Sequence, residues 1–126
     1  DADQMLQVFQ NILKNACEAI SKDRGKIKIC TSYNSGVRYT ISGDQSEILP
    51  LQIEIIDNGS GIPDNIINEI FEPFVSSKVN GTGLGLAFVS KIITSHGGLI
   101  ECTSHSAGTK FILRLPVSKK SSKDKI

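Results

Sequence analysis

The stretch Leu51 to Gly61 (LQIEIIDNGSG) places a carboxylate where a half-buried strand would end. Leu51, Ile53 and Ile55 alternate with Gln52 and Glu54, the period of a strand with one covered face. Asp57 follows in the same phase as the isoleucines, so its carboxylate is expected on the core side. A buried carboxylate is costly unless hydrogen-bond donors meet it. The next residues, Asn58-Gly59-Ser60-Gly61, form a turn whose glycines let a flat group approach the backbone. A ligand with an N–H donor and a planar face would satisfy both features, and an adenine amino group is one such ligand.

Two other groups of residues could meet phosphates. Asn11, Asn15 and Glu18 fall within an arc of about 60° on a predicted helix. Asparagine carbonyls are hard oxygen ligands suited to Mg²⁺ that also holds substrate phosphates. A solvated helix face, shared with Gln4, Gln7 and Lys14, accounts for the same arc. Gly81-Thr82-Gly83-Leu84-Gly85-Leu86 runs directly into a second predicted helix. It is neither the dinucleotide fingerprint, which needs a small residue at Leu86, nor a P-loop, which needs Gly-Lys-Ser/Thr. A glycine-rich helix start still offers free N–H groups and the positive dipole end to phosphates; a plain flexible loop is the competing reading. Lys78, just upstream, could pair with a phosphate or simply be exposed. His96 precedes Gly97-Gly98 and reads as a helix-end cap, and His105 has no base or nucleophile nearby in sequence.

These residues need elements to hold them. Residues 3–21 read as a helix with Asp3 as N-cap and an apolar face of Met5, Phe9, Ile12, Leu13, Ala16 and Ile20, with Asn11, Asn15 and Glu18 opposite. Residues 26–33 alternate as a strand, 37–41 form a further paired strand, and 42–47 read as a loop. Ile62-Pro63-Asp64 opens a short helix that residues 70–74 interrupt. Residues 75–83 read as a mobile lid, 84–96 as the second long helix, and 99–104 and 110–115 as strands around a turn. Helices on one face of a mixed, mostly antiparallel sheet of four or five strands give an α/β two-layer sandwich.

At 126 residues the chain is one domain, and its formal charge of +1 gives no field for nucleic acid. Residues 1–117 form the domain, and 118–126 are a polar tail expected to be disordered. Cys17, Cys30 and Cys102 lack the spacing of a zinc site or a disulfide framework and are expected to be reduced. No apolar run is long enough for a membrane span and no secretory leader is visible. The chain is therefore expected to be a cytoplasmic module of a longer protein, itself soluble or membrane-anchored.

Taken in order, the motifs Asn11-Ile-Leu-Lys-Asn15-Ala16, Asp57-Asn58-Gly59-Ser60-Gly61, Phe71-Glu-Pro-Phe74 and Gly81-Thr-Gly83-Leu-Gly85-Leu86 closely resemble the ATP-binding catalytic domain of sensor histidine kinases. That family shares the Bergerat ATP-binding fold with gyrase, heat-shock chaperone and mismatch-repair ATPases. The resemblance covers residues 3 to about 117. It implies that Asp57 accepts the adenine amino hydrogen, with Gly59, Gly61 and Ile62 along the base and Thr109 supporting Asp57. It implies that Asn15 holds Mg²⁺, with Asn11 and Glu18 beside the phosphates. Lys78, Gly81, Thr82, Gly83, Leu84, Gly85 and Leu86 would hold the phosphates under the lid. NACEA in the first helix, the short PFVSSK lid and the ending FILRLP look most like the nitrogen-regulation group.

The ATPase relatives carry a glutamate as general base where Asn11 stands, and an amide cannot take that proton. The resemblance thus implies a protein-histidine kinase that binds Mg-ATP but hydrolyses it poorly. The phosphoryl acceptor would be a histidine on a dimerisation domain outside this chain, for relay to a response regulator. The isolated domain is expected to be monomeric and its parent a homodimer, without direct membrane contact. Two other readings stand beside this one: an anti-sigma-factor-type serine kinase on the same fold, and an interaction module that has lost its nucleotide.

Overall fold

The computed structural model describes residues 1–34, 36, 38–43, 45–73, 85–105 and 107–117. Helix α1 spans Ala2–Ala19 and α2 spans Gly85–Ser95. The strands are β1 (Ile27–Tyr33), β2 (Arg38–Ser42), β3 (Gln45–Ile48), β4 (Leu51–Asp57), β5 (Leu99–His105) and β6 (Gly108–Leu115). Four of them form a sheet in the order β1-β4-β6-β5, antiparallel at every pairing, while β2 and β3 form a separate antiparallel ribbon. Both helices lie on one face of the sheet, α1 against β4 and α2 against β5. The expected two-layer sandwich is therefore present, with no parallel pair among the described strands.

Several boundaries move for local reasons. The N-cap of α1 is Asp1, whose Oδ1 accepts from the backbone N–H of Asp3 (2.8 Å) and Gln4 (3.3 Å), not Asp3 as expected. The loop expected over 42–47 overlaps β3, which has no alternating pattern of its own and is made by pairing with β2. The short helix expected from Ile62 is instead a set of turns leading to a single 3-10 turn, Ile67–Glu69. The Pro63 carbonyl accepts from Ile66 N–H and Ile67 N–H at 3.1 Å each. The stop after α2 is as the sequence indicates. Gly97 adopts φ +78°, Gly98 N–H donates to Ile93 O (2.9 Å), and His96 Nδ1 lies 2.8 Å from Ile92 O.

The core forms where the two helices meet the sheet. Val8, Ile12 and Ala16 repeat every four residues along α1, and Val89, Ile92 and Ile93 make the matching stripe on α2. They close on Ile55, Phe111 and Leu113, with Ile70 from the segment after β4. Each of the larger aliphatic side chains contributes about 1.5–3 kcal/mol by leaving water. Val8 is fully buried and was absent from the expected apolar face. Including it rotates that face toward Asn11 and Asn15, so the two amides flank the buried stripe instead of lying opposite it.

Antiparallel register arranges the covered face of the sheet in rows. Ile53, Leu113 and Ile100 form one, and Ile55, Phe111 and Cys102 the next. The last row, at the end of β4, is Asp57, Thr109 and Ser104.

Candidate functional site

The apolar face of the sheet ends in a polar row. Asp57 and Thr109 are 6 % and 5 % exposed, the two buried polar side chains of the described core. The burial expected of Asp57 from strand phase is what the structure has. Asp57 Oδ1 accepts the Gly59 N–H at 2.8 Å. Among the described residues no hydrogen bond reaches Oδ2, and no buried side-chain polar atom lacks a partner. Thr109 Oγ1 lies 3.2 Å from Ser104 Oγ.

The turn after Asp57 is held on three sides. Ser60 N–H donates to Ala19 O at the end of α1 (3.3 Å). A Cβ at Gly59 would stand 2.4 Å from that same carbonyl, so only glycine permits the approach. Asn58 Nδ2 donates to Arg24 O and Asn58 Oδ1 accepts from Lys26 N–H, both at 2.7 Å. This ties the turn to the α1–β1 connection. Ile62 N–H donates to Ser104 Oγ at 2.6 Å, tying the far end of the turn to β5. Gly61 is half-buried with φ +81°.

Across this row, α1 presents Asn11 to the start of α2. Asn11 Nδ2 donates to Gln7 O (2.9 Å), so the amide oxygen is what the side chain offers outward. That oxygen lies 3.0 Å from where a Cβ on Gly85 would stand. Asn15 is half-buried one turn further, toward Asp57, while Glu18 is exposed. An amide oxygen beside the first residue of a helix is a donor type that fits a hard cation shared with phosphates. Among the described residues there is no cluster of His, Cys, Asp and Glu that would hold a metal by itself.

The remaining sequence-derived residues divide simply. Gly85 lies at the first turn of α2, and Leu86 packs against the core. Phe71 meets Phe111 edge-on, with ring centroids 6.3 Å apart. Lys78, Gly81, Thr82, Gly83 and Leu84, the second phenylalanine of the F-x-P-F box, Phe74, and the 118–126 tail lie outside the described residues. Ser104 was not singled out from sequence. Its signal was the hairpin register, since a turn over 105–108 places 104 opposite 109. Cys102, in the adjoining row, has its thiol pushed up to about 12 by burial and by the Asp57 carboxylate, so it stays protonated at neutral pH.

A deep carboxylate at the end of an antiparallel sheet, a glycine turn beside it and an amide-bearing helix opposite define an ATP-binding domain of the Bergerat type. The profile of the histidine kinase-, DNA gyrase B-, and HSP90-like ATPase family matches residues 1–119, and the chain belongs to that family. Among curated proteins it is 52% identical over 120 residues to the sensory histidine kinase/phosphatase NtrB of Rhodobacter capsulatus, covering 95% of this chain and 34% of that protein. It is 45% identical over 122 residues to NtrB of Rhizobium leguminosarum bv. phaseoli, covering 95% and 32%. The chain thus spans about a third of the length of these relatives. Among solved structures, the catalytic domain of histidine kinase ThkA, nucleotide-free, superposes with a TM-score of 0.71 at 32% identity, covering 92% of this chain and 68% of that one. The mycobacterial sensor histidine kinase MprB shares the fold, with a TM-score of 0.74 at 24% identity and 92% and 74% coverage. No helix among the described residues is long and apolar enough to cross a membrane.

Proposed function

We propose that this chain is the catalytic, ATP-binding domain of a sensor histidine kinase of the nitrogen-regulation type. The observation that carries the reading is Asp57: a carboxylate 6 % exposed, with one oxygen held by Gly59 N–H and the other without a hydrogen bond among the described residues. That oxygen accepts the adenine 6-amino hydrogen. Gly59, Gly61 and Ile62 lie along the base. Asn11 and Asn15 offer amide oxygens where the phosphates meet the first turn of α2, with Glu18 at the edge of that surface and Gly85 on its far side. Lys78 and residues 81–84, with Leu86, complete the phosphate side. Mg²⁺, when bound, supplies neutralisation of phosphate charge.

The chain's own contribution is positioning, which suits in-line phosphoryl transfer with little covalent work for the protein. Asn11 cannot act as general base toward water, so the γ-phosphoryl group passes to a better-placed nucleophile. That nucleophile is a histidine on the dimerisation domain of the full-length protein, and a response regulator then receives the phosphoryl group. The likeness to NtrB over nearly the whole chain favours this acceptor over a serine and favours a working site over a degenerate one. A cytoplasmic location follows from the same reading.

The test is phosphoryl transfer from γ-labelled ATP in the full-length protein. The expected product is acid-labile, alkali-stable phosphate on histidine, formed only with Mg²⁺ and much reduced by Asp57→Asn at limiting ATP. Acid-stable phosphate on serine would replace the histidine kinase reading with the serine kinase one.

A further inference from the structure

The polar row at the end of the sheet holds one member more than the base reading uses. Ser104 stands opposite Thr109 on β5, as Asp57 stands opposite it on β4. Its hydroxyl accepts from Ile62 N–H (2.6 Å) and lies 3.2 Å from Thr109 Oγ1 and 3.3 Å from Gly108 O. The β5–β6 turn is pressed against β4 at this point. Gly108 has φ +142°, and a Cβ there would be 1.9 Å from Asp57 O. One hydroxyl therefore joins the glycine turn, the hairpin and the threonine next to the base acceptor.

We propose that Ser104 is a specificity-determining positioning residue for the nucleotide base. It fixes the glycine turn through Ile62 N–H and sets the hydrogen-bonding sense of the Thr109 hydroxyl beside Asp57. The proposal rests on Asp57 as the base acceptor.

A serine hydroxyl has one proton and two lone pairs. Ile62 N–H occupies one lone pair. If the proton goes to Thr109, the Thr109 proton must turn away from Ser104, to the Asp57 side of the row. If the proton goes to Gly108 O, Thr109 donates to Ser104 and leaves its lone pairs to that side. In either arrangement Thr109 is a fixed donor or a fixed acceptor and not a free rotor. Adenine presents a 6-amino donor and an N1 acceptor, and hypoxanthine presents a 6-oxo acceptor and an N1–H donor. A fixed partner beside Asp57 separates the two bases better than a rotating one. Removing the Ser104 hydroxyl frees the Thr109 rotor and leaves Ile62 N–H without its acceptor, which loosens the turn along the base.

The experiment is calorimetric titration of the 126-residue chain with ADP and with inosine diphosphate, for wild type, Asp57→Asn, Ser104→Ala and Ser104→Thr. Ser104→Ala is expected to weaken ADP binding about tenfold, to weaken inosine diphosphate less, and so to reduce the ratio of the two affinities. Ser104→Thr retains the hydroxyl and is expected to restore most of that ratio. Unchanged ADP affinity and ratio in Ser104→Ala, with binding still weakened in Asp57→Asn, would overturn the role of Ser104 and leave the base acceptor standing. Equal weakening for both nucleotides without rescue by Ser104→Thr would also overturn it, by assigning Ser104 to folding alone. Unchanged binding in Asp57→Asn would remove the base acceptor itself.

Discussion

The two faces of one sheet carry polar clusters built on opposite plans. On the outer face, Arg114 of β6 is surrounded by partners. Its Nε donates to Glu101 (2.9 Å), its Nη1 donates to Tyr39 Oη (3.0 Å) and to Gln52 Oε1, and its guanidinium lies 4.6 Å from the centre of the Tyr39 ring. Tyr39 belongs to the β2–β3 ribbon, so this cluster fastens the ribbon over the sheet. On the inner face, Ser104 pairs with Thr109, Asp57 Oδ1 accepts from Gly59 N–H, and among the described residues no hydrogen bond reaches Asp57 Oδ2. A charge met by partners on several sides holds structure; a buried carboxylate with one oxygen lacking a partner among the described residues suits a ligand. The comparison sets the polar residues that fasten this domain against those proposed to recognise a nucleotide.

The sharpest way to break that separation is at a position where fold and site share backbone. Gly108→Ala puts a Cβ into Asp57 O at a left-handed φ and is expected to cost about 3 kcal/mol of unfolding free energy. Nucleotide affinity should fall with it, because the clash displaces the row itself. Urea unfolding and ADP titration of the same sample check both. A Gly108→Ala protein with wild-type stability and affinity would mean that the hairpin does not hold the row.

Arg114→Met should show the opposite division. Loss of the guanidinium contacts is expected to lower stability by about 1–2 kcal/mol through release of the ribbon, with ADP affinity within about twofold of wild type. A thermal melt paired with a nucleotide titration reads this directly. Large loss of affinity without loss of stability would move the outer cluster into the site.

The smallest effect concerns Cys102, which belongs to the inner face but lies one row inside the site. Its thiol titrates near 12 in the fold, above the ordinary value of 9.0, through burial and the Asp57 charge. The folded state thus keeps a proton that the unfolded chain releases. The stability this contributes is level below pH 9 and is lost as pH rises toward 12. Alkylation at pH 8, followed by mass spectrometry, should label exposed Cys17 well before Cys102. Equal rates would show the inner row open to solvent.

What could be read from sequence follows the same division. The phase of Ile53, Ile55 and Asp57 predicts the buried carboxylate, because strand period alone decides which face a side chain takes. The spacing of the asparagines predicts their shared arc but not its place beside the core, because omitting Val8 shifts the apparent apolar face. The β3 strand was invisible, since backbone pairing with β2 makes it and no side-chain period announces it. Ser104 and Arg114 depend on which residues become neighbours across strands. Such register is set by the assembled sheet, not by local pattern. The Asp1 cap was displaced from the expected Asp3 because two acidic residues two positions apart compete for one role.

The account stands on Asp57 as an acceptor for the nucleotide base. The most direct measurement is calorimetric titration with ADP, with and without Mg²⁺, of the wild-type chain and Asp57→Asn. Saturable wild-type binding is expected, tighter with Mg²⁺ and weakened by about 1.5–3 kcal/mol in Asp57→Asn, the range for a hydrogen bond to a charged group. Equal affinities for the two folded proteins would contradict it.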